Sequence, residues 1–303
     1  MGTRAKPSNL GESQKEQDGS FVMNAQRKIH SHSTAARVVG LLAVVVTLFG
    51  VAGCSKLKAR DLLNKGVASF KNGQYDTSIE DFKQAKDLDP SLLNARLYLA
   101  TAYATEYIPG APSDDNVRVG QQAVNEFQDV LSVDPKNLSA LDGIGSILYN
   151  MAGTPFDPEK YNESKKYHQK HIELAPSDPE PYYWLGVIDW TLTYRGNAEA
   201  RQAYNLQSPK KQVKEADPLP DKVREQFTQQ YAQLIDEGLM MLQKATELRP
   251  DYADAVAYQS LLLRQKADMS DNATRASIEK QADDLLDKVK EIKQRIAEKE
   301  SKS

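Results

Sequence analysis

Phe82-Lys83-Gln84-Ala85-Lys86-Asp87-Leu88-Asp89-Pro90 decides the architecture, because its layout returns at 127–135, 168–176 and 242–250. In each copy a large residue (Phe82, Phe127, His168, Leu242) stands eight positions before a proline. A small residue precedes the large one by four: Ser78, Ala123, Ser164 and Gly238. Another small residue follows each proline by ten: Ala100, Gly145, Gly186 and Ser260. A spacing of four puts two side chains on one helical face. Proline then stops the helix, since it has no N–H to donate and its ring clashes with the preceding turn. Small residues let neighbouring helices approach, and the large residue fills the next groove. The spacing therefore predicts a repeated unit of closely packed helices.

The pattern resembles the tetratricopeptide repeat (TPR), a helix-turn-helix unit of about 34 residues. Residues 59–90 give an uninterrupted copy, with Gly66 in the first helix, Gly73 and Tyr75 at the turn, then Phe82, Ala85 and Pro90. Tyr182-Tyr183-Trp184-Leu185-Gly186 is similar to the family's first-helix signature. The resemblance implies an all-α, TPR-like solenoid over 59–299, built from modified repeats at 59–92, 93–137, 138–178, 179–252 and 253–299. Between its two small residues the first repeat has 12 positions, and the others 23, 19, 52 and 22. Each excess falls between the two helices of a hairpin. The largest, 191–230, reads as an extended first helix, a loop broken by Ser208-Pro209 and Asp217-Pro218-Leu219-Pro220, and an extended second helix. The last helix carries Ile278, Ala282, Leu285, Val289, Ile292 and Ile296 at alternating spacing. That seam suits a capping helix or a coiled-coil dimer.

The N-terminus reads as an address. Arg27, Lys28 and Arg37 precede a charge-free run from Val38 to Val51, and Ala52-Gly53-Cys54 follows. A basic segment, an apolar stretch and small residues at its end describe an export signal. Val51-Ala52-Gly53-Cys54 resembles a bacterial lipobox, whose cysteine becomes lipid-modified and begins the mature chain. That resemblance makes residues 1–53 a signal peptide, with Met23 the start that gives a more ordinary length, and 54–58 a lipidated tether. Cys54 is the only cysteine of the 303 residues. Ser55 after it resembles the outer-membrane sorting pattern, so the expected address is the outer membrane, facing the periplasm. The charge-free residues from 38 to 55 are also just numerous enough for an uncleaved anchor.

Composition excludes several classes of function. A single cysteine cannot build a disulfide framework or a cysteine zinc site. The formal charge of -3 lacks the basic face that nucleic acid requires. Residues 1–53 hold six Lys/Arg against three Asp/Glu, so the remaining body is more acidic still and its lipid anchor must hold the membrane. Gly143-Ile144-Gly145 lacks the third glycine of a dinucleotide cradle and reads as a packing pair. There is no Gly-x-Ser-x-Gly elbow. His168 and His171 share a helical face and could offer two metal ligands, with Glu163 or Glu173 as a third. They also occupy packing positions of the repeat, and that is the expected role. Lys210, Lys211 and Lys214 read as a solvated cluster. No catalytic residue, metal or cofactor is expected.

In the TPR family, first helices line a concave surface that holds peptide segments. Carried over by register, that lining comprises Phe70, Tyr98, Tyr149, Tyr183, Trp184, Trp190 and Tyr258, with Leu63, Val67, Val187 and Leu261 between them. Leu63 and Val67 stand where a carboxylate clamp needs Lys and Asn, so no clamp is expected although Asn64 matches. Tyr and Trp favour interfaces, offering apolar area with a hydrogen-bonding tip. The expected function is a membrane-anchored, non-enzymatic scaffold that binds protein segments in the cell envelope. TPR lipoproteins serve barrel and secretin assembly, and the resemblance points that way by analogy alone. An aromatic groove for glycan or peptidoglycan fragments is the alternative.

Overall fold

The computed structural model describes residues 54–301. The leader and Val51, Ala52 and Gly53 of the lipobox lie outside the described residues. Ten helices follow one another with no strand among the described residues. They pair as hairpins: α1 (54–71) with α2 (Tyr75–Leu88), α3 (Leu93–Glu106) with α4 (Asp114–Val133), and α5 (Leu138–Met151) with α6 (Pro158–Leu174). Then come α7 (Pro179–Gln207) with α8 (Asp221–Leu248), and α9 (Ala253–Ala267) with α10 (Asn272–Glu300). Each helix packs on its neighbours in chain order, as a solenoid requires. The architecture is all-α and TPR-like.

Local chemistry sets the ends. Asp157 and Asp178 cap α6 and α7 by accepting from backbone N–H groups, and a proline follows each in the first turn. Asn137, Ser113 and Asp271 cap α5, α4 and α10 in the same way. The tight α1–α2 turn is made by Gly73, whose φ of 73° is left-handed and favours glycine.

The repeated large residues have a more definite role than filling a following groove. Phe82, His168 and Leu242 each sit over the glycine of their own hairpin's first helix. A Cβ on Gly66 would lie 2.5 Å from Phe82 Cε1, and one on Gly145 2.6 Å from His168 Nε2. One on Gly186 would overlap Leu242 Cγ. Phe127 instead crosses to the next hairpin, where its ring covers Gly143. The Gly143-x-Gly145 pair thus receives a ring from the helix on each side, which is why α5 can be so closely sandwiched. Ser164 adds a bond from Oγ to the Gly145 carbonyl at 2.7 Å, and Ser260 repeats it to Ala282 at 2.8 Å.

A charged clasp ties the middle together. Lys165 of α6 donates to Asp189 of α7 at 2.6 Å and lies 3.4 Å from Glu237 of α8. Asp189 is fully buried, and burial holds its carboxyl above the ordinary range against the pull of Lys165. The α10 seam is used within the chain: Val289 and Ile292 pack with Ala253 and Val256 of α9, flanked by Leu285 and Ile296. It closes the solenoid as a cap, which overturns the coiled-coil alternative for that face. No described helix is long and apolar enough to cross a membrane.

The seating of Leu242 on Gly186 predicts a coupling. Gly186→Ala should cost about 1–3 kcal/mol in urea unfolding, because overpacking outweighs alanine's better helix propensity. In a Leu242→Ala background the same change should cost clearly less. Additive losses would show that the two residues do not share the space.

Candidate functional site

The site is built on the first helices of the later hairpins. α3 packs on α5 and α7 on α9. Tyr149 of α5 meets Trp184 of α7, and its hydroxyl lies 3.3 Å from Thr191 Oγ1. First helices therefore adjoin one another along one side of the stack. Along it the rings form an unbroken chain. Tyr149 and Trp184 are 5.4 Å apart, Trp184 and Tyr183 5.5 Å, Tyr183 and Tyr258 5.7 Å, and Tyr258 and Trp190 5.2 Å. All are edge-to-face, with interplanar angles of 61° to 77°. This geometry lets each ring's positive edge meet its neighbour's negative face.

Five of the seven expected groove residues are thus brought together, all half-buried. Phe70 and Tyr98 are not part of the row. Phe70 packs edge-on against Tyr75 at 5.3 Å, and Tyr98 stacks on Phe82 at 5.6 Å. Leu63 and Val67 pack against the core beside them. The row also recruits rings that the register argument passed over. Tyr161 of α6 meets Tyr149 at 5.3 Å, Tyr252 meets Tyr183 at 4.9 Å, and Tyr194 stacks on Trp190 at 5.2 Å. Burial pushes the Tyr161 hydroxyl up to about 12 and raises Tyr183 and Tyr258 as well, so the row presents neutral phenols.

The histidines serve packing. His168 is fully buried, stacks on Trp184 at 6.0 Å with an 8° angle, and has no hydrogen-bond partner for either nitrogen among the described residues. His171 Nδ1 lies 2.6 Å from Asp142 Oδ1, and its Nε2 lies 3.4 Å from Asp178. No group of three or more His, Cys, Asp or Glu among the described residues could hold a metal ion.

Beyond the row lies a cleft of about 750 Å³. The C-terminal half of α7, the 208–220 loop, the end of α9 and the start of α10 enclose it. A buried node fixes these walls. Arg201 Nε donates to Asn197 Oδ1 at 2.8 Å, and its Nη2 to Asp268 Oδ2 at 2.7 Å. Its Nη1 reaches the carbonyls of Lys214 and Asp217 at 2.7 and 2.8 Å. Arg275 pairs with the other Asp268 oxygen and donates to the Ala216 carbonyl at 3.2 Å. Asn205 adds a two-way clip to Val213, at 2.7 and 3.0 Å. Sequence reasoning placed a loop here and missed the node. Its signal was Trp190, Tyr194, Asn197, Arg201 and Asn205, which continue one face of α7 well past Trp190.

Cys54 is exposed at the start of the described residues, in α1.

Comparison with known proteins agrees with this architecture. Residues 62–92 match the tetratricopeptide repeat family model. No curated protein sequence matches the chain. Among solved structures, the fold is similar to that of the MamA protein, at 13% identity and a TM-score of 0.50, over 80% of this chain and 94% of that one. MamA 41-end from Desulfovibrio magneticus RS-1 is similar at 17% identity and a TM-score of 0.50, over 78% of this chain and 96% of that one. The fold is that of a TPR-like solenoid, and the match to the family model lies in its first hairpin.

The environment of His168 yields a pH prediction. Burial pushes its imidazole down to about 4, from an ordinary value near 6.5. The unfolded chain therefore gains the proton first. Stability should fall by up to about 3 kcal/mol as pH drops from 6.5 toward 4. His168→Phe, the residue type at the equivalent places Phe82 and Phe127, should remove that loss. Chemical unfolding of both proteins across this range tests it, and parallel curves would contradict it.

Proposed function

We propose that this protein is a lipid-anchored, non-enzymatic scaffold of the bacterial cell envelope that docks protein segments on the aromatic side of its solenoid. The observation that carries the reading is the row from Tyr149 to Trp190, five half-buried rings contributed by three successive first helices. Half-buried Tyr and Trp combine large apolar area with few rotatable bonds, so a bound segment gains contact at small entropic cost. The edge-to-face packing of the row favours a peptide over a glycan, because sugars stack on broad free faces and these faces are largely taken by neighbouring edges.

Anchoring rests on the sequence around Cys54 and on the exposure of its thiol. Acylation there supplies about 0.8 kcal/mol per buried methylene, enough with more than one chain to hold the body on a membrane. Outer-membrane placement facing the periplasm rests on Ser55 and on the family resemblance.

Two measurements test the parts separately. Cys54→Ser should move the protein from the membrane to the soluble fraction and abolish the acyl mass increment, whereas an uncleaved anchor would keep it on the membrane. Tyr149→Ala combined with Trp184→Ala should lose its crosslinked envelope proteins at a temperature where melting curves show both forms folded. Retained crosslinks would remove the row from docking. Competition by a soluble peptidoglycan fragment, with no protein captured, would favour the glycan reading.

A further inference from the structure

The cleft beyond Trp190 has its own chemistry. Its lining includes three arginines, Arg201, Arg264 and Arg275, and three carboxylates, Glu215, Asp268 and Glu279. All three arginines are already engaged. Arg201 and Arg275 share Asp268, Arg275 also pairs with Glu279 at 2.9 Å, and Arg264 with Asp283 at 2.6 Å. No lining arginine is left over to recognise a carboxylate or a phosphate; Asp268 and Glu279 are paired, and the exposed Glu215 accepts from the Tyr194 hydroxyl at 3.4 Å.

What the cleft does offer is apolar area and free amides. Leu206 is 77% exposed and Tyr194 40%, so both present apolar surface to solvent at the cleft. Val213 and Leu261 continue this wall. Gln202 and Gln212 also line it and make no side-chain hydrogen bond among the described residues. Each carries a donor and an acceptor, the pair that a peptide unit presents in return. Aliphatic walls suit apolar side chains. The volume lies within the range of binding clefts and exceeds that of one side chain. Trp190 belongs both to this cleft and, through Tyr258, to the aromatic row.

We propose that the cleft between α7, the 208–220 loop, α9 and α10 is a specificity pocket for a short uncharged peptide segment bearing large apolar side chains, the end of a segment lying along the aromatic row. This inference rests on the docking role of that row and names the chemistry of its partner. The insertion in the fourth hairpin supplies the selectivity: it forms the wall with Leu206 and Val213, and the Arg201 node keeps that wall in place. An acidic side chain entering here would lose its water and find every lining arginine engaged, and a basic one would find Asp268 and Glu279 engaged and only Glu215, at the exposed rim, without an ion pair among the described residues.

The test is selection of random heptapeptides, displayed on phage, against the purified protein, followed by binding of the chosen peptides as capped synthetic forms. Two variants alter the cleft at exposed positions and leave the core intact: Ala198→Trp fills it and Leu206→Glu charges its wall. The selected peptides should be uncharged with one or two large apolar positions, and both variants should weaken them at least tenfold. Peptides weakened by Tyr149→Ala and Trp184→Ala but untouched by the cleft variants would overturn this inference and leave the docking row standing. Peptides dominated by charged residues, or binding of tri-N-acetylchitotriose in their place, would also overturn it. Absence of any peptide that either set of variants weakens would remove both the pocket and the row.

Discussion

A bulky side chain seated on a glycine of the facing helix is the contact on which this structure depends. Phe82 on Gly66, His168 on Gly145 and Leu242 on Gly186 set how closely the two helices of a hairpin approach. Close approach matters because dispersion falls steeply with separation, and an interior packed to crystal density tolerates no gap. Phe127 on Gly143 applies the same rule between hairpins, so α5 is held by a ring from either side. Stacking of first helices then places Tyr149, Trp184, Tyr183, Tyr258 and Trp190 in one line, each ring resting on the next. The aromatic row is a by-product of the packing rule.

The fourth hairpin departs from the rule in a productive way. Its helices run to 29 and 28 residues, roughly twice those of α2 and α3. Tyr231 packs on Gly196 and extends the close α7–α8 contact into the insertion. A loop of this length would ordinarily be mobile, because few of its backbone groups have partners. Here Arg201 accepts the role of a missing helix: four of its hydrogen bonds converge on one side chain, two of them to loop carbonyls. Breaking a buried charged node of this kind is costly, since it strands the partner charge. The loop therefore behaves as a wall of the cleft.

Much of this was legible in the sequence, and the failures have physical causes. The Phe82–Pro90 layout and its three returns were enough to read a repeated unit of packed helices, because proline stops and one-turn spacings are local signals, and the family resemblance made it a hairpin solenoid. The long helices on either side of Ser208-Pro209 followed from the same signals. Side-chain partnership was less legible. Phe70 and Tyr98 share the register of the row, but Tyr75 and Phe82 claim their rings locally, a choice that spacing cannot show. Tyr161 lies on a second helix and Tyr252 at a helix junction, so a first-helix register could not include them. The Arg201–Asp268–Arg275 node joins residues 67 and seven positions apart, a long-range pairing with no periodic trace. The α10 seam left room for a partner helix as an alternative to a cap, and only the position of α9 decides that it faces inward.

A preformed binding face, row and cleft together, is tested most directly by residue-resolved amide hydrogen exchange on the free protein. The Val213 and Lys214 amides bond to Asn205 Oδ1 and Asp217 Oδ2. They should exchange far more slowly than unstructured amides, and an Arg201→Lys variant should release them while α7 and α8 stay protected. Exchange of Val213 and Lys214 at unstructured rates in the unaltered protein would contradict a fixed wall and leave the cleft without one of its sides.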